Sequence, residues 1–338
     1  MKGDDFLHAF ILGVETECRI GNAVYPSHYD VGWHITATAG VFGAAAAAVR
    51  LLGLSEQQMV WALGIAATQS SGLREMFGTM VKPMHPGNAA RNGLLAALLA
   101  SKDFTSAEQG IEGRRGFANV LATARNYDEI TRGLGTTWEM ALNTYKPFAC
   151  GIVEHPAIDG CIQLRNEHKL KAEDIESIAL RVHPLVLELT GKRTPRVGLE
   201  GKFSVYHSCA AAIIFGAAGE AQYSDEAVRD PGVVALRDKV TAAVEKGVHE
   251  DQVYITVRLK NGKVLEKHVE HAVGSLDRPM SDFDLEAKFR GLAEGILSKP
   301  ETDKLIRLCW DVAKLNDAAE VARASVPARK VAMKRARA

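Results

Sequence analysis

The chain has 338 residues, with 41 Lys+Arg against 41 Asp+Glu, a formal net charge of +0, and 24% charged and 47% hydrophobic residues. That balance excludes global disorder. It shows no basic excess of the kind a nucleic-acid binder carries, and the length suggests about two domains. The longest apolar stretch, residues 39–49, is closed by Arg50 and is too short to span a bilayer. Asp4 and Asp5, ahead of a short apolar run broken by Glu15, do not read as a signal peptide. The five cysteines (Cys18, Cys150, Cys161, Cys209, Cys309) are odd in number, widely spaced and without a C-x-x-C pair. They give no support to zinc ribbons or common iron–sulfur sites. The expectation is a reducing, cytoplasmic setting, with no membrane and no nucleic-acid partner.

In chain order, Phe6, Leu7, Phe10, Ile11 and Val14 have helical spacing over residues 5–20. Residues 36–52 predict an alanine-rich helix that stops at Gly53, and Ser55 with Gln58 forms a capping-box signature for the next. A further apolar helix is expected over 87–100, and a second capping box at Thr105 and Glu108. The alanine runs, accompanied by Val41, Phe42, Leu51 and Leu52, predict closely packed helices. The pattern then changes. Residues 176–190 alternate as a strand with Ile178, Leu180 and Val182 on one side, and residues 253–259 and 263–269 flank Asn261-Gly262 as a hairpin with a type I′ turn. Residues 203–216 and 225–245 read as helices, and Ser281 with Asp284 starts a return to helix over 282–322. The fold class is therefore mainly α with an inserted α+β domain. The helical domain takes 1–145 and 276–325, the α+β lid 146–275, and a basic tail 326–338. A cleft between two such domains is a natural ligand site.

Polar residues gather where helices begin. His34 in Gly32-Trp33-His34 precedes the alanine-rich helix, where free backbone N–H groups favour a neutral imidazole and bound anions, or where the ring is simply a cap. Lys82 and His85 lie in Val81-Lys82-Pro83-Met84-His85-Pro86-Gly87, read as a carboxylate-binding corner ahead of a helix or as an ordinary turn. Arg74 offers a bidentate carboxylate clamp or a partner for Glu75. Lys146, Cys150 and His155 stand at the expected domain junction, and Tyr206 opens another small-residue helix. A nucleophilic Cys150 has no readable His partner. Phosphate-loop, dinucleotide, zinc-protease and serine-hydrolase motifs are absent. Acid–base chemistry by His, Lys and Tyr without a cofactor is the economical enzymatic reading.

Six strings in order, GWHITATAGVFGAAAAAVRLLGLS, GTMVKPMHPGNAARNG, EGRRGF, YKPFACGIVEHPAIDG, GKFSVYH and HAVGSLDRPMSDFDLEAKFR, resemble the MmgE/PrpD family. The resemblance implies a helical domain with an inserted lid, usually a homodimer, acting on a small di- or tricarboxylate. It also implies a cofactor-independent lyase, first of the 2-methylcitrate dehydratase type of propionate metabolism, with decarboxylation or epimerisation as alternatives. Carried over by position, His34, Lys82, His155 and Tyr206 are the expected catalytic residues, and Arg74, His85 and Lys146 the expected substrate-binding ones, with no metal. Family members usually have a further N-terminal stretch that bears catalytic groups, which Asp4 and Asp5 do not match. The alternative expectation is thus a shortened, inactive or partner-dependent member.

Overall fold

The computed structural model describes residues 1–328; the expected basic tail lies, from residue 329 on, outside the described residues. The chain divides into two compact units, one of Met1–Asn143 with the chain from Gly295, the other of Thr144–Glu294. As a whole it is mainly α-helical with a small mixed sheet.

Small side chains set the geometry of the first unit. Its helices are α1 (Gly3–Val24), α2 (Ser27–Val31), α3 (Ile35–Leu52), α4 (Glu56–Thr68), α5 (Val81–Ala100), α6 (Phe117–Leu121) and α7 (Asp128–Thr131). The alanine-rich α3 is the central helix and packs on α1, α4 and α5. Val41, Phe42, Ala45 and Ala46 of α3 and Ala96, Ala97 and Ala100 of α5 are buried, as the sequence predicts, whereas Leu51 and Leu52, expected beside them, are exposed at the end of α3. A Cβ at Gly93 would fall 2.5 Å from that of Ala44, and one at Gly43 would fall 2.7 Å from the Gly13 carbonyl oxygen. Both helix contacts therefore depend on glycine. By length and composition α3 would suffice to cross a membrane, but here it is a core helix with half of its apolar window buried. It ends at Gly53 in the left-handed region (φ 65°). The Ser55 box forms as predicted: Gln58 N–H donates to the Ser55 hydroxyl and Ser55 N–H donates to the Gln58 side chain.

Two expectations in this unit are corrected. Helix α5 begins at Val81, not Gly87, so Lys82 and His85 lie on its first turns rather than ahead of it. Pro83 is tolerated there because first-turn N–H groups lack intrahelical acceptors in any case. Thr105 and Glu108 cap no helix; the segment turns repeatedly around Gly110, Gly113 and Gly116.

The second unit contains α8 (His155–His168), β1 (Ile175–Val182), α9 (Pro184–Thr190), α10 (Gly198–Gly201), α11 (Val205–Phe215), α12 (Asp225–Arg229), α13 (Pro231–Arg237), β2 (Val240–Val244), β3 (Val253–Leu259), β4 (Val264–Val269) and α14 (Asp282–Ala293). The sheet order is β2-β1-β3-β4, with β1 and β2 parallel and the other pairs antiparallel. Ile178, Leu180 and Val182 share its buried face, as predicted, with Ile255 and Val257 beside them; α8 packs on β3 and β4. The predicted strand over 176–190 stops at Val182, because Pro184 cannot join the ladder and instead starts α9. The predicted helix over 225–245 is split at Pro231 and gives way to β2, whose Val240 and Thr241 pair with β1. The hairpin forms, but not with a type I′ turn. Leu259 N–H donates to the Lys263 carbonyl, and only Gly262 of the three-residue loop has positive φ (86°). Ser281 and Asp284 cap α14 reciprocally. Helices α15 (Lys299–Trp310) and α16 (Ala319–Ala324) belong to the first unit.

Candidate functional site

In the first unit, a short antiparallel bridge between Trp33 and Leu73 fixes the start of α3. His34 N–H donates to the Gly72 carbonyl (3.0 Å) and Arg74 N–H to the Gly32 carbonyl (2.9 Å). Gly72 has φ 138°, and a Cβ there would lie 2.5 Å from the Ala37 Cβ and 3.4 Å from His85 Nδ1. The close approach of that loop to both histidines thus requires glycine.

The bridge and α5 bring His34 and His85 together. Both rings are buried, and their Nδ1 atoms are 2.8 Å apart. Such a bond needs a proton on one Nδ1 and a lone pair on the other. In its neutral form the donor ring is left with a bare Nε2, as a base requires, while the acceptor ring carries its proton on Nε2. Phe77 packs edge-on against His34 at 5.0 Å between ring centres. Burial, then the Lys82 ammonium, then His85 lower the His34 pKa to about 4, so this imidazole is neutral at ordinary pH. Lys82 stands one turn before His85 on α5 and within electrostatic reach of His34.

Behind this pair lies a residue the sequence reading missed. His28 is fully buried, with Nε2 2.6 Å from Thr38 Oγ1 and Nδ1 2.9 Å from the Leu121 carbonyl oxygen. It braces the first turn of α3. Its only sequence signal was a histidine six residues before His34. Arg74 is directed to Tyr29: its guanidinium stacks 3.9 Å over the ring and donates to the Tyr29 carbonyl at 3.0 Å.

In the second unit, Lys146 and His155 share a neighbourhood. Lys146 Nζ donates to the Cys150 carbonyl (3.2 Å). His155 is 1% exposed, packs edge-on against Phe148, and has no well-formed hydrogen bond at either ring nitrogen; the Cys150 carbonyl offers a weak one. Burial, then Lys146, lower its pKa to about 3. The adjacent Glu154 is fully buried, and burial pushes its pKa up to about 8 against the opposing contacts of Ser208, Cys150 and Gly151. The Cys150 thiol is raised by burial and then by Glu154, which keeps it protonated and a poor nucleophile. Tyr206, in the first turn of α11, lies under the Arg193 guanidinium at 4.3 Å. The structure therefore joins His34, His85 and Lys82 in one unit and Lys146 with His155 in the other, while Arg74 and Tyr206 have separate partners.

Comparison with known proteins agrees with the motif resemblance. The MmgE/PrpD N-terminal domain matches residues 1–130, and the MmgE/PrpD C-terminal domain matches residues 148–312. The chain is 29% identical over 343 residues to a cis-aconitate decarboxylase of Aspergillus terreus, covering 94% of this chain and 69% of the relative. It is 27% identical over 330 residues to the cis-aconitate decarboxylase of Homo sapiens, covering 94% and 68%. A 2-methylcitrate dehydratase of Cupriavidus necator is 24% identical over 259 residues, 68% of this chain and 51% of that protein. Two domains of one family, in order along nearly the whole chain, make the assignment: the chain belongs to the MmgE/PrpD family.

Proposed function

We propose that the chain is a cofactor-independent lyase acting on a small di- or tricarboxylate. The His34–His85 pair moves a proton at a carbon near a carboxylate, and Lys82 offsets the negative charge that develops there. The observation that carries this reading is the 2.8 Å bond between two buried imidazoles next to a lysine. A neutral imidazole is the protonation state a general base needs, as dehydration requires; the Lys82 ammonium stabilises an enolate-like intermediate and is the proton donor that decarboxylation requires.

Decarboxylation of a substrate like cis-aconitate stands first, because the decarboxylase relatives match far more of the chain than the dehydratase does. In that reaction the bond to one carboxylate breaks, carbon dioxide leaves, and a proton delivered to carbon takes up the electron pair. Dehydration of a substrate like 2-methylcitrate is the second reading. There a base removes the proton beside a carboxylate, and the neighbouring hydroxyl leaves as water with a proton from an acid. Both reactions ask the same things of a site: a proton carrier and a cation beside the reacting carbon. His155 and Tyr206 as catalytic residues, and Arg74 and Lys146 as carboxylate-holding groups, enter the proposal from their positions in the sequence.

The test is to incubate the purified chain separately with cis-aconitate and 2-methylcitrate, following carbon dioxide release and the new double bond. Carbon dioxide from cis-aconitate is the expected result. Water loss from 2-methylcitrate alone would promote the second reading. Turnover of neither would reject the lyase.

A further inference from the structure

Lys146 does not stand by itself. The loop that carries it is held by a second lysine, Lys288 of α14, whose Nζ donates to the Lys146 carbonyl at 2.6 Å. The two residues are 142 positions apart in sequence, so nothing local brings them together. Among the described residues, neither ammonium makes an ion pair with a carboxylate; the contacts of both run to backbone carbonyls. Glu154, within reach of Lys146, is buried and keeps its proton below about pH 8, so it does not neutralise the pair. The Lys288 ammonium is weakened by burial and then by repulsion from Lys146. His155, 1% exposed and without a well-formed hydrogen bond, feels both lysines. Two cations and an under-satisfied imidazole in one corner are what a carboxylate would relieve.

We propose that Lys288 and Lys146 together form a carboxylate-binding subsite in the second unit, with Lys288 an additional substrate-binding residue. This deepens the function proposed above and rests on it for the class of ligand. Each ammonium keeps donors beyond the one given to a backbone carbonyl, so both have hydrogen bonds to offer a carboxylate. Lys288 also sets where Lys146 begins its reach, because it grips that residue's backbone.

The test is calorimetric binding of citrate to the full chain and to Lys288→Met, Lys288→Arg and Lys146→Met, with melting temperature measured alongside. Citrate affinity should fall about tenfold in Lys288→Met and in Lys146→Met, and recover most of the loss in Lys288→Arg, which keeps the charge. Unchanged affinity in Lys288→Met with a lowered melting temperature would make Lys288 a tether only and overturn the proposal. So would an absence of citrate binding by the unaltered chain. Inorganic phosphate is the second probe, and an equal Lys288-dependent affinity for it would overturn the carboxylate assignment. The readout separates this subsite from the lyase reading. Lys288-dependent citrate binding without turnover keeps the subsite and removes the lyase, and turnover with Lys288-independent binding does the reverse.

Discussion

The two units bury acids and bases in opposite ways. In the first, Glu15 and Arg19 of α1 are nearly sealed from water, yet they are well supplied with partners. Arg19 donates to Glu15 (2.8 Å) and to the carbonyls of Arg132 (2.8 Å) and Thr137 (2.6 Å), while Glu15 accepts the N–H groups of Glu139 and Met140. Burial alone would raise the Glu15 pKa, but these donors hold it below the usual value. In the second unit Glu154 has only the Gly151 N–H (3.2 Å) as a clear donor, and burial wins. The same side chain is a charged structural knot where it keeps slight exposure and a guanidinium partner, and a neutral acid where it is fully sealed. Depth of burial, set against the charge and geometry of the donors, decides which. A fully satisfied group has nothing left to offer a ligand, whereas His155 and Lys146 retain unspent hydrogen-bonding capacity.

The largest effect should come from breaking the satisfied side. Arg19→Met leaves Glu15 charged and buried, and should cost about 3–5 kcal/mol of unfolding free energy in urea titration. A loss near zero would mean that water reaches Glu15 and that the contrast between the units is false. Next comes the histidine pair. Lys82→Ala should lower turnover on the order of 10²–10³-fold, the usual range for removing one group that stabilises developing charge, while the melting temperature stays near that of the unaltered chain. Equal losses of turnover and stability would place Lys82 among the structural groups. Gly72→Ala should damage both, because the added methyl meets Ala37 and the backbone there has positive φ.

Local order was largely legible in the sequence. The Ser55 and Ser281 caps, the stop at Gly53 and the hairpin around Gly262 all depend on residues within four positions of one another. Errors came where a local signal met a tertiary one: β2 reads as helix until it is paired with β1, and the start of α5 is hidden by Pro83, which the first turn tolerates, and by Pro86 inside the helix. The candidate site was legible as a set of residues but not as a geometry. The contact between His34 and His85 spans 51 positions and depends on the Gly72 loop, and Lys288 lies in a helix whose sequence gives no sign of Lys146. Neither relation has a period or a spacing to read.

A smaller effect tests the buried bases. Folded His34 resists protonation until about pH 4, while the unfolded chain takes up that proton near 6.5. The unfolded state therefore binds more protons between those values, and stability should fall as the pH drops through that window. His155 adds to the same trend, with its folded value near 3. His34→Gln should flatten the acid side of the stability curve measured by chemical denaturation. An unchanged slope would mean that the ring is charged in the fold.

The remaining effect has the opposite sign and belongs to Glu154. Its folded carboxyl keeps the proton up to about pH 8, but in the unfolded chain it ionises near 4.5. Here the folded state binds more protons, so its stabilising contribution is complete below 4.5 and is lost as the pH rises through 8. Glu154→Gln holds the position permanently neutral at almost the same size, so it should match the unaltered chain at pH 5 and exceed it at pH 9. The unaltered chain, with histidines failing on the acid side and Glu154 on the alkaline side, should then show a peaked stability curve. The variant should keep the acid slope and lose the alkaline one. Parallel curves from pH 5 to 9 would show Glu154 already ionised in the fold. It would then have found donors like those of Glu15, and the difference between the two units would disappear.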